Sequence, residues 1–204
     1  RDHLCGLPVE VNFVNHTTDA IGYKWLFGDG GMSVENNPQH TYLLPGDYQV
    51  QLIAENAFMC RDTVAQIFSA YAQPSADFAW SPEEGCAPLT VFFENLSTFA
   101  TSVQWIFSDG GMSDTLTHTA HTFYGWGKHS ATLIVSHRDV CFDTLAIPDI
   151  IEVFPSPMAN FSFEEIVTIP PSGMFEFMDH SVGAVRWQWE FGDGDSSFIQ
   201  NPSH

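Results

Sequence analysis

Three aspartates, three histidines and four cysteines recur at matched positions along this 204-residue chain, and they hold most of its chemical potential. Asp29, Asp109 and Asp193 each precede a glycine in a Gly-Asp-Gly or Ser-Asp-Gly step. A carboxylate does acid–base work with a positioned partner, but no second carboxylate recurs at a spacing that demands it, so the three read as turn residues. Calcium takes six to eight oxygens. Acidic loops offer some of these, at Glu83, Glu84 and Asp109, without an EF-hand-like loop. The expectation is no cofactor, with calcium the one ion left open. His40, His121 and His204 recur at one position. Zinc would need partners at ligand spacing, and none recur beside them, so these rings read as packing or hydrogen-bonding residues. There is no Gly-x-Ser-x-Gly, zinc-protease motif or phosphate loop. The chain is expected not to be an enzyme.

A repeat positions these residues. Trp25-Leu26-Phe27-Gly28-Asp29-Gly30-Gly31-Met32-Ser33 returns 80 residues on as Trp105-Ile106-Phe107-Ser108-Asp109-Gly110-Gly111-Met112-Ser113. It returns again as Trp189-Glu190-Phe191-Gly192-Asp193-Gly194. Val11, Phe13 and Asn15 match Val91, Phe93 and Asn95, and Cys5 and Cys60 match Cys86 and Cys141. The boundaries read as 1–73, 74–155 and 156–204. The second repeat opens with Ala76-Asp77-Phe78-Ala79-Trp80 and the third with Ala159-Asn160-Phe161-Ser162-Phe163, an opening strand that the first repeat lacks. The third stops at His204, before the stretch that begins near Thr41 in the first. The expectation is a window on a longer protein, or broken ends completed by a neighbouring chain.

Within a repeat the apolar residues alternate. Val91, Phe93 and Asn95 alternate with Phe92 and Glu94; Val103, Trp105 and Phe107 with Ser102, Gln104 and Ile106; Ala131, Leu133 and Val135 with Thr132, Ile134 and Ser136. Period two with β-branched and aromatic residues marks half-buried strands, and regular Gly, Pro, Asn and Asp clusters mark a sandwich. No helical period is evident.

These residues resemble the polycystic kidney disease (PKD) domain. Its joined hallmarks all stand in repeat one: Trp25 to Gly30, Pro38-Gln39-His40-Thr41-Tyr42, and Gly46-Asp47-Tyr48-Gln49-Val50-Gln51-Leu52. Repeat two departs at Ser108, Thr119, Phe123 and His129. The resemblance implies an all-β chain of tandem immunoglobulin-like sandwiches of about seven strands each. Trp25, Phe27, Asp29, Trp105, Phe107, Asp109, Trp189, Phe191 and Asp193 would be the structural motif. The two-cysteine form looks like repeats of large surface proteins in gliding-type bacteria. Thr63, Thr115 and Thr144, each in an Asp-Thr-apolar step, resemble the O-glycosylation site of that group. Asn15, Asn95 and Asn160 head N-glycosylation sequons, the first two at a position where the repeat itself places Asn.

Four cysteines in a secreted-looking β protein suggest disulfides. In the sandwich that the resemblance implies, Cys5 and Cys60 fall at opposite ends of the domain, too far apart for a bridge. A staple between repeats, Cys5–Cys141, is expected, leaving Cys86 and Cys60 for repeats elsewhere. Pairing within repeats, Cys5–Cys60 and Cys86–Cys141, stays open as the alternative. Pro170 stands where Cys86 would recur.

Twenty-five acidic residues oppose six basic ones, a net charge of −19. Such a field repels nucleic acid and anionic membranes, and no apolar run reaches the length of a membrane span. Trp80, Trp126 and Trp187 could stack on sugars, but packing is the expected role. The reading is a secreted or cell-surface segment, a stalk, fibre or adhesin, with neighbouring repeats or chains, surface glycans or proteins as partners. The alternative is an accessory glycan- or protein-binding module of a secreted hydrolase.

Overall fold

A computed structural model describes residues 2–167 and 173–204. Pro170 lies outside the described residues. The chain is all β, with no helix among the described residues. Repeat one supplies β1 (Asp2–Cys5), β2 (Val9–Asn12), β3 (Gly22–Leu26), β4 (Met32–Ser33), β5 (Gln39–Tyr42), β6 (Gly46–Glu55) and β7 (Arg61–Tyr71). Repeat two supplies β8 (Phe78–Ser81), β9 (Glu84–Cys86), β10 (Leu89–Asn95), β11 (Ser102–Phe107), β12 (Met112–Ser113), β13 (His118–Phe123), β14 (Gly127–His137) and β15 (Cys141–Phe154). Repeat three supplies β16 (Phe161–Glu165), β17 (Phe175–Asp179), β18 (Trp189–Glu190) and β19 (Ser196–Ser197).

By spatial proximity the chain divides into two compact units that do not follow the repeat boundaries. The first comprises Arg1–Ser81, Val91–His121 and His129–Ile150; the second comprises Pro82–Thr90, Thr122–Lys128 and Ile151–His204.

The first unit holds the sandwich of repeat one. Its sheets are β2-β5 and β1-β7-β6-β3-β4. Val9, Trp25, Phe27, Tyr42, Val50, Leu52, Phe68 and Ala70 form one buried cluster drawn from both sheets. The same unit holds the inner part of repeat two, where β8, β10 and β13 form one sheet and β11, β12, β14 and β15 belong to another. Alternation does what the sequence requires. Val103 pairs with Val135, Trp105 with Leu133 and Phe107 with Ala131 across β11 and β14, and all six are buried. Six inward side chains on one face of a strand pair make the floor of a core.

Repeat two has eight strands rather than about seven, because its opening segment is used twice. β8 pairs antiparallel with β10, and Pro82 then interrupts the segment before β9. Proline cannot donate to a ladder, so a strand breaks there. In the second unit, β9 lies parallel to the end of β15, with Cys86 beside Phe154. Repeat one repeats that device: β1 lies parallel to the end of β7, with Cys5 beside Tyr71. Repeat one therefore has a counterpart of β9. The second unit also holds the hairpin β16-β17 and the short pair β18-β19 of repeat three. Phe161 and Phe163 of that hairpin are exposed.

Candidate functional site

β7 separates the two cysteines of repeat one. Cys60 precedes its first residue and Cys5 lies beside its last, Tyr71. Eleven residues of strand span about 35 Å, so Cys5 and Cys60 cannot meet. Cys5 is instead bonded to Cys141, the first residue of β15 in repeat two, with Cα atoms 5.7 Å apart. Cys60 and Cys86 are free and exposed; neither within-repeat pair forms.

Polar contacts surround this cystine. Gln73 Nε2 donates to the Phe142 carbonyl at 2.7 Å, and the Ala76 amide donates to Asp143 Oδ2 at 2.8 Å. The Arg138 guanidinium lies 5.2 Å from the centre of the Tyr71 ring, and Arg138 Nη1 is 3.6 Å from Asp47 Oδ2. His137 packs against Tyr71 at 5.7 Å between ring centres. Arg138 and Asp139 reach this position because the β14–β15 turn takes left-handed backbone at both, φ 52° and 56°. The hydroxyls of Ser102 and Ser136 each donate to Asp139 Oδ1 at 3.0 Å, which holds the turn. Sequence reasoning passed over Arg138. Its scarcity was the available signal: it is one of only six basic residues in a strongly acidic chain.

The repeated aspartates and histidines meet one another. His40 Nε2 donates to Asp29 Oδ2 at 2.7 Å, His121 to Asp109 at 2.7 Å, and His204 to Asp193 at 2.8 Å. Each ring also lies flat on the motif phenylalanine, Phe27, Phe107 or Phe191, with ring centres 4.0 to 4.2 Å apart. The turn after Trp-x-Phe builds the site. The Asp29 carboxylate accepts the Gly31 amide at 2.8 Å, and that of Asp109 accepts the Gly111 amide at 3.1 Å. Gly30 and Gly110 supply the positive φ the turn requires, +96° and +93°. Gly31 and Gly111 leave room for the ring: a Cβ there would stand 2.6 Å from His40 Cε1 or 2.3 Å from His121 Cε1.

Partial burial raises the carboxyls of Asp29 and Asp109. The histidine and glycine hydrogen bonds and the nearby histidine charge outweigh it and hold both below the ordinary value of 3.8. The Nε2 atoms of His40 and His204 are spent on the aspartates. The pairing joins the turn to strands β5 and β13. In repeat three Asp195 replaces that second glycine, so Asp193, Asp195 and His204 present three donor atoms within 4.8 Å of one another.

Among the calcium candidates, Asp109 has both carboxylate oxygens on His121, while Glu83 and Glu84 are exposed around the start of β9. Thr63, Thr115 and Thr144 are all exposed. The Asn15 and Asn95 side chains hold turns, accepting the amides of Thr17 and Ser97 and donating to Asn36 Oδ1 and the Leu116 carbonyl. Trp80 is half-buried and donates to the Ile150 carbonyl at 3.2 Å, and Trp187 donates to Asp179 at 2.8 Å. Trp126 is 74% exposed beside Tyr124, 78% exposed. Among the described residues no helix is long and apolar enough to cross a membrane.

Residues 5–68 match the family model described as the PKD domain. Among solved structures, the fibronectin(III)-like modules of CbhA from Clostridium thermocellum are 12% identical over 74% of this chain and 90% of theirs, with a TM-score of 0.40. A solution structure from Methanosarcina mazei is 37% identical over 38% of this chain, which spans 52% of that one, with a TM-score of 0.31. Murine CEACAM1b is 9% identical over 74% of this chain and 96% of its own, with a TM-score of 0.48.

Proposed function

We propose that this chain, in which residues 5–68 form a PKD domain, is an extracellular structural or adhesive segment that spaces or presents the binding regions of a larger surface protein. The observation that carries this reading is the covalent link between successive repeats, Cys5 to Cys141. A link between repeats constrains their motion and limits how far the chain can be drawn out. Disulfides persist in oxidising compartments, which supports a secreted or cell-surface location. The partners on this reading are further repeats of the same kind, with surface proteins or glycans at the presented regions.

The test is to stretch the chain from its two ends, oxidised and reduced. The cystine encloses a sequence separation of 136 residues. At about 3.6 Å per extended residue, reduction should release roughly 490 Å of extra contour length. An extension unchanged by reductant would remove the mechanical role. Turnover by the purified segment would remove the non-catalytic reading.

A second reading, an accessory glycan- or protein-binding module, is favoured by the exposed Tyr124 and Trp126 of the β13–β14 turn. Aromatic faces stack on sugars. Titration with soluble polysaccharides, following indole fluorescence, should then give saturable quenching that Trp126→Ala abolishes. Neither reading requires a cofactor. Calcium at Asp109 would have to compete with His121 for its carboxylate oxygens, and a melting temperature unmoved by calcium or chelator would discard it.

A further inference from the structure

We infer that the aspartate–histidine turn of repeat three is a binding site for a divalent transition metal, held by Asp193, Asp195 and His204, with zinc the ion its donors suit. Repeats one and two keep glycine at the second position after the aspartate, Gly31 and Gly111, where a Cβ would press on the histidine ring. Repeat three puts Asp195 there. The turn is otherwise kept. The Asp195 amide donates to Asp193 Oδ1 at 3.1 Å, and the Phe191 amide donates to the Asp195 carbonyl at 3.2 Å. Gly194 has a φ of +105°, in the same region as Gly30 and Gly110. The His204 ring still lies flat on Phe191, ring centres 4.1 Å apart, with Nε2 2.8 Å from Asp193 Oδ2. The aspartate therefore adds a donor to a preformed pair without breaking it. One donor atom from each of the three side chains lies within 4.8 Å of the other two.

The site brings two carboxylates together, and the ion pair that Asp193 makes is with His204 itself. Like charges held this close disfavour each other unless a cation joins them, and a chain of net charge −19 draws cations. The donor set selects the ion. An imidazole nitrogen and two carboxylate oxygens, with a fourth position left to water, are zinc ligands at about 2.0–2.2 Å in a tetrahedron. Two such bonds set nitrogen and oxygen about 3.3 Å apart. The His204–Asp193 pair, now at 2.8 Å, has to open by only about half an ångström. Zinc takes the place of the proton that the two share. Calcium, which takes six to eight oxygens, gains nothing from the imidazole. Phe191 fixes the plane of the ring, as outer partners do for a metal-binding histidine. Asp193 and Asp195 are exposed, so ions reach them from solvent.

The test titrates zinc chloride into the whole chain by calorimetry, with Cys60 and Cys86 alkylated so that their free thiols do not compete. Expected is saturable uptake of a single zinc per chain, with amide resonance shifts confined to 191–196 and 204. Asp195→Gly, which restores the turn of the other two repeats, should keep the melting temperature of the metal-free chain. It should weaken uptake about tenfold or more, at least what losing an outer partner costs a metal site. Asp195→Asn, which keeps the side-chain volume, should weaken it likewise. A chain extended past His204 by Gly-Ser should take zinc equally, which keeps the terminal carboxylate out of the donor set. Undiminished uptake by the two variants, shifts elsewhere, displacement of zinc by equimolar calcium, loss of uptake on extension, or no uptake at millimolar zinc would each overturn the inference. Failure here would leave the Cys5–Cys141 link and the spacer reading untouched.

Discussion

The aspartate–histidine pair gives each repeat an acid-sensitive latch. Asp29 and Asp109 have carboxyls held below the ordinary 3.8. Near pH 4 the folded chain therefore binds fewer protons at these sites than the unfolded chain. Their contribution is fully present above the ordinary value and is lost as pH falls through the lowered one. The melting temperature should fall between pH 4 and pH 2, and the double variant Asp29→Asn, Asp109→Asn should show a flatter acid limb. At neutral pH each substitution should cost about 1 kcal/mol, since one charge-assisted hydrogen bond is weakened in a partly exposed site. Gly31→Ala should cost about 1–2 kcal/mol, because its Cβ would stand 2.6 Å from His40 Cε1 and force the ring off Phe27. Chemical denaturation reads both. Asp179 occupies in repeat three the place of Asn15 and Asn95. Hydrogen bonds from Ser181, Gln200 and Trp187 bring its carboxyl down to about 2. Asp179→Asn should keep the turn, whereas Asp179→Ala should lose the protection of the Ser181 amide in hydrogen exchange.

At the scale of elements, a short parallel edge strand carries each amino-proximal cysteine. β1 fixes Cys5 beside Tyr71, and β9 fixes Cys86 beside Phe154. The first is bonded and the second is free. Alkylation of the native chain without reductant should therefore modify Cys60 and Cys86 and spare Cys5 and Cys141. Peptide mapping of the same sample should recover a Cys5–Cys141 linked pair. A recovered Cys5–Cys60 pair would contradict the strand register, because β7 would have to fold back on itself.

For the molecule as a whole, covalent closure and surface exposure decide what the chain can do. Reduction should lengthen the stretched chain by the residues now enclosed. Intact mass of protein from its native source tests the exposed threonines: hexose-sized increments at Thr63, Thr115 or Thr144 would show the chain is glycosylated, and the bare mass would show it is not.

The repeat, the strands and the turns were legible in the sequence because each is a local matter. Alternation sets the face of a strand, and Gly30 or Gly110 permits the backbone of a turn. The matched Asp and His positions were visible too, but their union was not. It needs the Trp-x-Phe turn and the histidine strand to be brought side by side, which tertiary packing alone does. The same holds for Arg138 over Tyr71, from different repeats and far apart in sequence. Local periodicity is set by neighbours along the chain; partners across repeats are set by which surfaces the closed sheets bring together.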